Sequence, residues 1–152
     1  MYFIVVSDNH GRQEVLRDIR NKHPKAKAFL HCGDSELSPD QIDSYVSVMG
    51  NNDVYHDYPA HLVVDIDKTR VFMIHGHRLS GFNKMAQLVN MAKKNDCQIA
   101  CFGHTHIYDH KVIDGINIIN PGSVWHSRDG SRPSYAIVTI EDQQISVSKV
   151  EL

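Results

Sequence analysis

Five short segments of the chain end an apolar run with Asp, Asn or His, which are side chains able to bind divalent metals. The segments are Asp8-Asn9-His10, Gly33-Asp34, Gly50-Asn51, His75-Gly76-His77 and Gly103-His104-Thr105-His106. Each preceding run is short and typical of a buried β-strand. Because ligands of open α/β sheets bind beyond the carboxyl ends of the strands, these side chains are expected to meet in one site.

The residue types in these segments indicate the class of ligand. Carboxylate, imidazole and amide oxygen suit borderline or hard divalent ions such as Mn, Fe, Zn or Co. No cysteine stands in any of the segments, which argues against a structural zinc bound by thiolates. Seven candidates are more than one tetrahedral ion uses, whereas two ions sharing a carboxylate would use all of them. The seven are Asp8, His10, Asp34, Asn51, His75, His104 and His106.

The pattern of the chain predicts strands that alternate with helices, followed by a strand-rich last third. Strands are predicted at residues 3–7, 28–31, 45–49, 61–67, 70–74, 98–102, 111–113, 117–119, 135–140 and 145–150. Helices are predicted at 11–22, at 38–43 as a short turn, and at 82–95, where Phe82, Met85, Leu88, Val89 and Ala92 mark one face. This order favours two packed sheets with helices outside.

Length and composition place limits on the class of protein. The 152 residues, of which 41% are apolar, predict a single domain spanning 1–152. The net charge of -2 does not favour nucleic-acid binding. Three cysteines, Cys32, Cys97 and Cys101, are too few for a disulfide framework, and Cys97 and Cys101 are expected to be buried thiols. Neither a signal peptide nor a membrane helix is apparent, so a cytoplasmic protein is expected.

Taken together and in this order, the five segments resemble the calcineurin-like metallophosphoesterase superfamily. The matching motifs are Asp-x-His, Gly-Asp, Gly-Asn-x-Asp, a His after a strand, and Gly-His-Thr-His. Asn120-Pro121-Gly122-Ser123, followed by Ser134-Tyr135-Ala136, is similar to the small bacterial and archaeal phosphodiesterase branch. The resemblance runs from Phe3 to about Ile140. It implies an α/β fold of two mixed β-sheets packed face to face, with helices on the outer sides of a four-layer sandwich.

The resemblance also implies a binuclear metal centre and a reaction. Asp8, His10 and His106 would bind the first ion, Asn51, His75 and His104 the second, and Asp34 would bridge both. Manganese is favoured, and Fe, Zn, Ni and Co remain compatible with the ligands. The implied reaction is hydrolysis of small or nucleotide-type phosphodiesters by a hydroxide that bridges the metals. Asp34, Asn51 and His75 are the residues assigned to catalysis.

Asn9, Asn52 and Arg12 are the predicted contacts to substrate. Many members of the superfamily carry a His where Asn52 stands, and an amide cannot donate a proton as an acid does. This difference favours diesters with activated or nucleotide-type leaving groups. Arg128 is a further candidate for phosphate contact, although an ordinary solvated arginine explains it equally well. For His77, a position lining the site and a position at the surface are equally compatible with the sequence. Asp53 is expected to orient one of the metal-binding residues.

Other interpretations of the same residues remain. Read singly, Asp8 and Asp34 could be helix caps, and Asn51 could satisfy a turn. A eukaryotic relative, a subunit of the retromer sorting coat, uses this fold mainly as a protein-binding scaffold, and that is the alternative function. A DNA nuclease is disfavoured by the short chain and the lack of a basic surface. The expected partner is a small phosphodiester, with neither membrane nor nucleic acid, and assembly of identical copies stays open.

Overall fold

The computed structural model describes residues 1–42 and 44–152. Two α-helices, α1 (Gln13–Lys22) and α2 (Lys84–Lys94), and one 3-10 turn (Pro39–Ile42) lie among the strands. The strands are β1 (Tyr2–Val6), β2 (Phe29–His31), β3 (Val46–Ser47), β4 (His61–Ile66), β5 (Thr69–Ile74), β6 (Ile99–Cys101), β7 (Tyr108–Ile113), β8 (Ile116–Pro121), β9 (Ser134–Glu141) and β10 (Gln144–Glu151).

The strands form two mixed sheets of five. The first sheet has the order β10-β9-β1-β2-β3, and the second has the order β4-β5-β6-β8-β7. In the first, β1, β2 and β3 are parallel, β9 pairs antiparallel with β1, and β10 pairs antiparallel with β9. In the second, β5, β6 and β8 are parallel. The carboxyl ends of these two parallel sets are therefore available to build a common site.

The main core lies between the sheets. Strand β1 alternates strictly, so Phe3 and Val5 join the cluster shared with the second sheet, whereas Ile4 and Val6 face the cluster that contains Leu16 of α1. Both faces of β1 are therefore buried, which explains its uninterrupted apolar sequence.

The second helix covers the outer face of the other sheet. Leu88, Val89 and Ala92 of α2 pack in one cluster with Phe72 of β5 and Ala100 of β6. The layers are thus helix, sheet, sheet and helix. This confirms the predicted α/β architecture of two mixed sheets packed face to face.

Several predicted boundaries were wrong. The first helix begins at Gln13 rather than Gly11, since Gly11 has a left-handed φ of 79° that no helix residue adopts. The strand expected at 45–49 is reduced to Val46–Ser47. Phe82 was placed on the buried face of a helix, yet it lies before α2 and is fully exposed. The end of the short helix predicted through Asp43 lies outside the described residues.

The three cysteines are buried and free, which confirms the prediction of buried thiols for Cys97 and Cys101. In the part of the chain that the structure describes, no helix has the length and apolar character needed to cross a bilayer.

Candidate metal centre

The loops that follow five strands bring all seven predicted metal ligands together. Asp8 follows β1, Asp34 follows β2, Asn51 follows β3, and His75 directly follows β5. His104 and His106 follow β6. The rings of His75 and His104 have centroids 5.2 Å apart, and those of His10 and His106 are also 5.2 Å apart. Residues distant in sequence therefore share one site at the carboxyl ends of the strands.

One half of the site is formed by Asp8, His10 and His106, whose candidate ligand atoms lie within 4.8 Å of one another. The Nδ1–H of His106 donates to the carbonyl oxygen of His126 at 2.8 Å, because a carbonyl only accepts. Its unprotonated Nε2 then faces Asp8 Oδ1 at 3.3 Å and His10 Nε2 at 3.2 Å. His10 is oriented in the same way, since its Nδ1 lies 2.6 Å from Glu36 Oε1.

The other half is centred on His75. Its Nδ1–H donates to the carbonyl oxygen of Cys32 at 2.7 Å. Its Nε2 faces oxygens of Asn51 at 3.1 Å and of Asp34 at 3.4 Å, with Asp8 Oδ1 at 3.9 Å. In the neutral ring, a lone pair would point at oxygen lone pairs. A positive charge among them, either a proton on Nε2 or a bound cation, makes this arrangement favourable.

Asp8 provides an independent test of whether these residues fit a metal. Its side chain is fully buried, and its Oδ2 accepts the backbone N–H of His104 at 3.1 Å. Its Oδ1 has no hydrogen-bond donor among the described residues. A buried carboxylate oxygen without a donor is costly, and a bound cation would remove that cost. The donor set therefore fits divalent metal ions.

The pKa shifts in the metal-free site have a common electrostatic cause. Burial raises the pKa of the Asp34 carboxyl, but hydrogen bonds from His75 and Asn52 outweigh burial and hold that pKa well below its usual range. Burial lowers the pKa of His75, yet Asp34 and Asp8 raise it further, so the net pKa lies above the ordinary value. Both shifts show that the site favours positive charge beside its carboxylates.

The backbone at these positions is unusual. Five candidate ligands have left-handed φ angles, a region that few residues other than glycine adopt. They are Asp8 (56°), His10 (44°), Asp34 (55°), His104 (68°) and His106 (59°). Backbone strain of this kind clusters at functional sites and persists because the surroundings enforce it.

Asp53 enforces the conformation of two of the loops. Its Oδ2 accepts the backbone N–H of Asp34 at 2.7 Å and of Gly50 at 2.8 Å, while its Oδ1 accepts that of Glu36 at 2.8 Å. The loops approach so closely that a Cβ at Gly50 would collide with the backbone nitrogen and carboxylate of Asp34. Asp53 thus orients Asp34 through the main chain, in keeping with the sequence-based expectation.

The predicted substrate residues lie in different settings. Asn52 donates from its backbone nitrogen to Asp34 Oδ1 at 2.8 Å and from Nδ2 to Asp34 Oδ2 at 2.9 Å. Arg12 is exposed, and its Nη1 donates to the carbonyl oxygen of His10 at 3.2 Å. Asn52 therefore holds the carboxylate of Asp34, and Arg12 lies beside the loop that carries His10.

Asn9 is fully buried and both ends of its amide are engaged. Gly33 donates its backbone N–H to His31 Nδ1 at 3.0 Å, so the Nε2–H of His31 donates to Asn9 Oδ1 at 2.9 Å. The Nδ2 of Asn9 donates to the carbonyl oxygen of Arg12 at 3.2 Å. Burial lowers the pKa of His31 to about 4, which keeps its ring neutral. This network orients the loop from Asp8 to Arg12 from beneath.

The Asn-Pro-Gly-Ser segment supports the site through its polar side chains. Ser123 Oγ donates to the carbonyl oxygen of Asp8 at 2.8 Å, and Asn120 Nδ2 donates to the carbonyl oxygen of Gly103 at 2.9 Å. Outside this segment, Arg128, the further candidate for phosphate contact, donates from Nη1 to the carbonyl oxygen of His104 at 3.2 Å. His77 lies near the second half of the site, with its ring centroid 5.4 Å from that of His75.

Sequence reasoning missed two residues at the site. Glu36 accepts from His10, and its place two residues after Asp34 was the available signal. Trp125 has its ring centroid 5.3 Å from that of His10 and 4.0 Å from the guanidinium carbon of Arg12. Its place just after the Asn-Pro-Gly-Ser segment could have indicated it.

A cavity of about 400 Å³ opens next to His104, on the side of the site away from Trp125.

Comparison with known families decides the classification. The model of the calcineurin-like phosphoesterase superfamily domain matches residues 1–143. The chain belongs to the calcineurin-like phosphoesterase superfamily. This family is metal-dependent, and the two groups of candidate ligands that lie within 4.8 Å, Asp8-His10-His106 and Asp8-Asp34-His75, agree with that chemistry.

Two proteins are similar to this member of the superfamily over nearly its whole length. A probable metallophosphoesterase of Bacillus subtilis, YsnB, is 32% identical over 150 residues, covering 97% of this chain and 89% of the relative. A structure described as a predicted phosphoesterase of Streptococcus pneumoniae has a TM-score of 0.90 at 31% identity, covering 99% of this chain and 88% of the other.

More distant structures share the fold. A structure described as a novel archaeal phosphodiesterase has a TM-score of 0.75 at 20% identity, covering 100% of both chains. Vps29 of Entamoeba histolytica complexed with zinc has a TM-score of 0.73 at 20% identity, covering 99% of each chain. The same fold therefore occurs both in a protein described as a phosphodiesterase and in Vps29. The fold alone does not identify an activity, and only the residues of the site can.

Proposed function

We propose that this chain is a phosphodiesterase dependent on two divalent metal ions, acting on small or nucleotide-type phosphodiesters. The observation that carries the proposal is the orientation of three histidines. His10, His75 and His106 each have Nδ1 bonded to an oxygen acceptor and Nε2 directed at the site. Histidines that bind metals are usually oriented through the other ring nitrogen in this way.

The ligands divide into two sets that share Asp34. Asp8, His10 and His106 would hold one ion, and Asn51, His75 and His104 would hold the other. Asp34 would serve both, as the family resemblance implies, and Asn52 holds both oxygens of its carboxylate in place. Manganese is the favoured metal on the family resemblance, and the oxygen and imidazole ligands also permit Fe, Zn, Ni or Co. The ligands lie between residues 8 and 106, so we treat residues 1–152 as one catalytic domain.

When bound, such a pair of cations lowers the pKa of a coordinated water and polarises the phosphoryl group. The protein supplies orientation and charge. Asp53 fixes the loops that carry Asp34 and Gly50. The exposed guanidinium of Arg12, next to His10, is suited to a phosphate oxygen. Asn9 acts on this residue from beneath, through the carbonyl oxygen of Arg12, rather than on the substrate.

Preference for a diester follows from the open surroundings of the site. The cavity of about 400 Å³ beside His104 leaves room for a second ester group. Its lining combines Leu79, Phe102 and Tyr108 with Lys84 and with the ion pair of Lys111 and Asp109, which leaves the charge of Lys84 unbalanced within the lining. A surface of this composition accepts an ester arm that has both apolar and anionic parts.

The test compares hydrolysis of bis(p-nitrophenyl) phosphate with that of p-nitrophenyl phosphate by metal-stripped protein, with and without added Mn²⁺. We expect turnover only with Mn²⁺ and faster cleavage of the diester. If neither ester is cleaved while the metals are demonstrably bound, the proposal is wrong. The alternative function, a protein-binding scaffold on the same fold, would then be pursued by a search for protein partners.

A further inference from the structure

Trp125 is an exposed aromatic residue at the edge of the candidate centre, and nothing in the proposed function uses it. It is the single tryptophan of the chain and is 42% exposed. Its ring meets His10 edge to face, with centroids 5.3 Å apart and planes at 65°. The guanidinium carbon of Arg12 lies 4.0 Å from the centroid of the indole ring. The guanidinium therefore stacks on one face of the indole, and this stacked surface borders the half of the site formed by Asp8, His10 and His106.

Hydrogen bonds to the loop that carries Trp125 keep this surface in place. The backbone N–H groups of Trp125 and His126 donate to Ser123 Oγ at 3.0 and 2.9 Å, and that hydroxyl donates to the carbonyl oxygen of Asp8. In the same loop, the carbonyl oxygen of His126, the residue after Trp125, accepts the Nδ1–H of His106. Trp125 is thus fixed relative to two candidate metal ligands. A binding surface fixed in advance loses little conformational entropy when a ligand binds.

The chemistry of the pair selects one class of group. An indole face offers stacking to any planar ring, and stacking of a base on an aromatic side chain contributes about 1–3 kcal/mol. The guanidinium of Arg12 stacks on aromatic planes and also binds phosphate oxygens. A group that combines a planar ring with a nearby phosphate satisfies both residues at once. An aliphatic ester arm would use only the charge.

We propose that Trp125 and Arg12 form a subsite for the planar ring of one ester arm, so that the site selects phosphodiesters bearing a nucleobase or a comparable aromatic group. The proposal rests on the proposed function, since it assigns the surface to a substrate of that centre. Trp125 is a specificity residue here and takes no part in bond breaking. A purely structural role would be to support Arg12 as a phosphate contact, and the two roles differ in their dependence on the ring of the ligand.

Two probes separate these roles in Mn²⁺-loaded protein. Adenosine 5′-monophosphate carries a base and a phosphate, whereas ribose 5-phosphate carries the phosphate alone. Because the chain has one tryptophan, its fluorescence, excited beyond the absorption of the nucleotide, reports on stacking directly. We expect the nucleotide to quench this fluorescence and ribose 5-phosphate to leave it unchanged. Equal quenching by both probes, or by neither, would overturn the proposal.

Calorimetric affinities of Trp125→Leu and Trp125→Phe complete the test. We expect Trp125→Leu to weaken nucleotide binding about tenfold while ribose 5-phosphate binding changes by less than about twofold. Trp125→Phe, which retains a ring, should keep most of the nucleotide preference. An equal loss for both probes would reduce Trp125 to a support for Arg12 and contradict the proposal. Turnover of bis(p-nitrophenyl) phosphate by the unmodified protein is measured in parallel, so that loss of the subsite and failure of the proposed function remain distinguishable.

Discussion

Each oriented histidine of the centre depends on a hydrogen-bond partner in another loop that the sequence analysis did not identify. His75 relies on the carbonyl oxygen of Cys32, His106 on that of His126, and His10 on Glu36. The sequence indicated which residue types bind metals, but not which ring nitrogen faces the site. That choice depends on two main-chain carbonyls and one carboxylate supplied by other loops, and only the fold fixes their positions.

Asn52 sets an expectation for the dependence of rate on the leaving group. Its amide holds Asp34, and no acid stands at this position to protonate a departing oxygen. For a series of aryl phosphodiesters, the rate should fall steeply as the leaving-group pKa rises. Asn52→His should flatten this dependence by supplying an imidazole, and Asn52→Ala, the matched control, should leave it steep. A flat series in the unmodified protein would contradict this account.

His31 predicts how stability depends on pH. Burial lowers its pKa from 6.5 to about 4 in the folded protein. Its contribution to stability is therefore complete above pH 6.5 and is lost as the pH falls toward 4, because the unfolded chain takes up the proton first. Between pH 7 and pH 5, the metal-free protein should lose about 2 kcal/mol more unfolding free energy than His31→Gln.

Urea unfolding of both proteins at the two pH values provides this measurement. The exposed His61 supplies a matched control, since His61→Gln should retain the pH dependence of the unmodified protein. Identical pH dependence in the unmodified protein and His31→Gln would show that His31 is not the group responsible.

The strand ends and the loops that follow them transmit the fold to the site. Strand positions were largely predictable, because strands such as β1 and β6 are continuous apolar runs with turns at their ends. The length of β3 could not be predicted in this way. Its ladder holds only Val46 and Ser47, because the chain then leaves the sheet toward Gly50 and Asn51. Phe82 was wrongly assigned to the second helix, because the spacing of apolar residues does not show where a helix begins, and α2 begins at Lys84.

Gly50 tests the close approach of two of these loops. In Gly50→Ala, the added methyl group would collide with the carboxylate and backbone nitrogen of Asp34. We expect a loss of about 1–3 kcal/mol in unfolding free energy together with weaker Mn²⁺ binding, measured by urea unfolding and metal titration. Gly115→Ala is the matched control.

The control glycine has φ of 77° and open space around it. Gly115→Ala should therefore cost about 1 kcal/mol of stability through backbone strain alone and leave Mn²⁺ binding unchanged. Equal Mn²⁺ affinity in the two variants would contradict the claim that the spacing of these loops positions Asp34.

The arrangement of the four layers explains why residues so distant in sequence meet. The first sheet contributes Asp8, Asp34 and Asn51, and the second contributes His75, His104 and His106. The face-to-face packing of the sheets closes the centre. The order of the motifs was sufficient to predict this fold and the convergence of the seven side chains. It was not sufficient to find Trp125, because that residue belongs to a loop whose path depends on Ser123 bonding to Asp8.

The manganese content of the purified protein after dialysis against Mn²⁺ tests the central claim most directly. The unmodified protein should retain about two ions per chain. Asp34→Ala should lose both ions together, because this one carboxylate serves the two sets of ligands. Asp18→Ala, on the exposed face of α1, should retain both. If Asp34→Ala keeps two ions, or if the unmodified protein binds none, the two-metal centre described above is wrong.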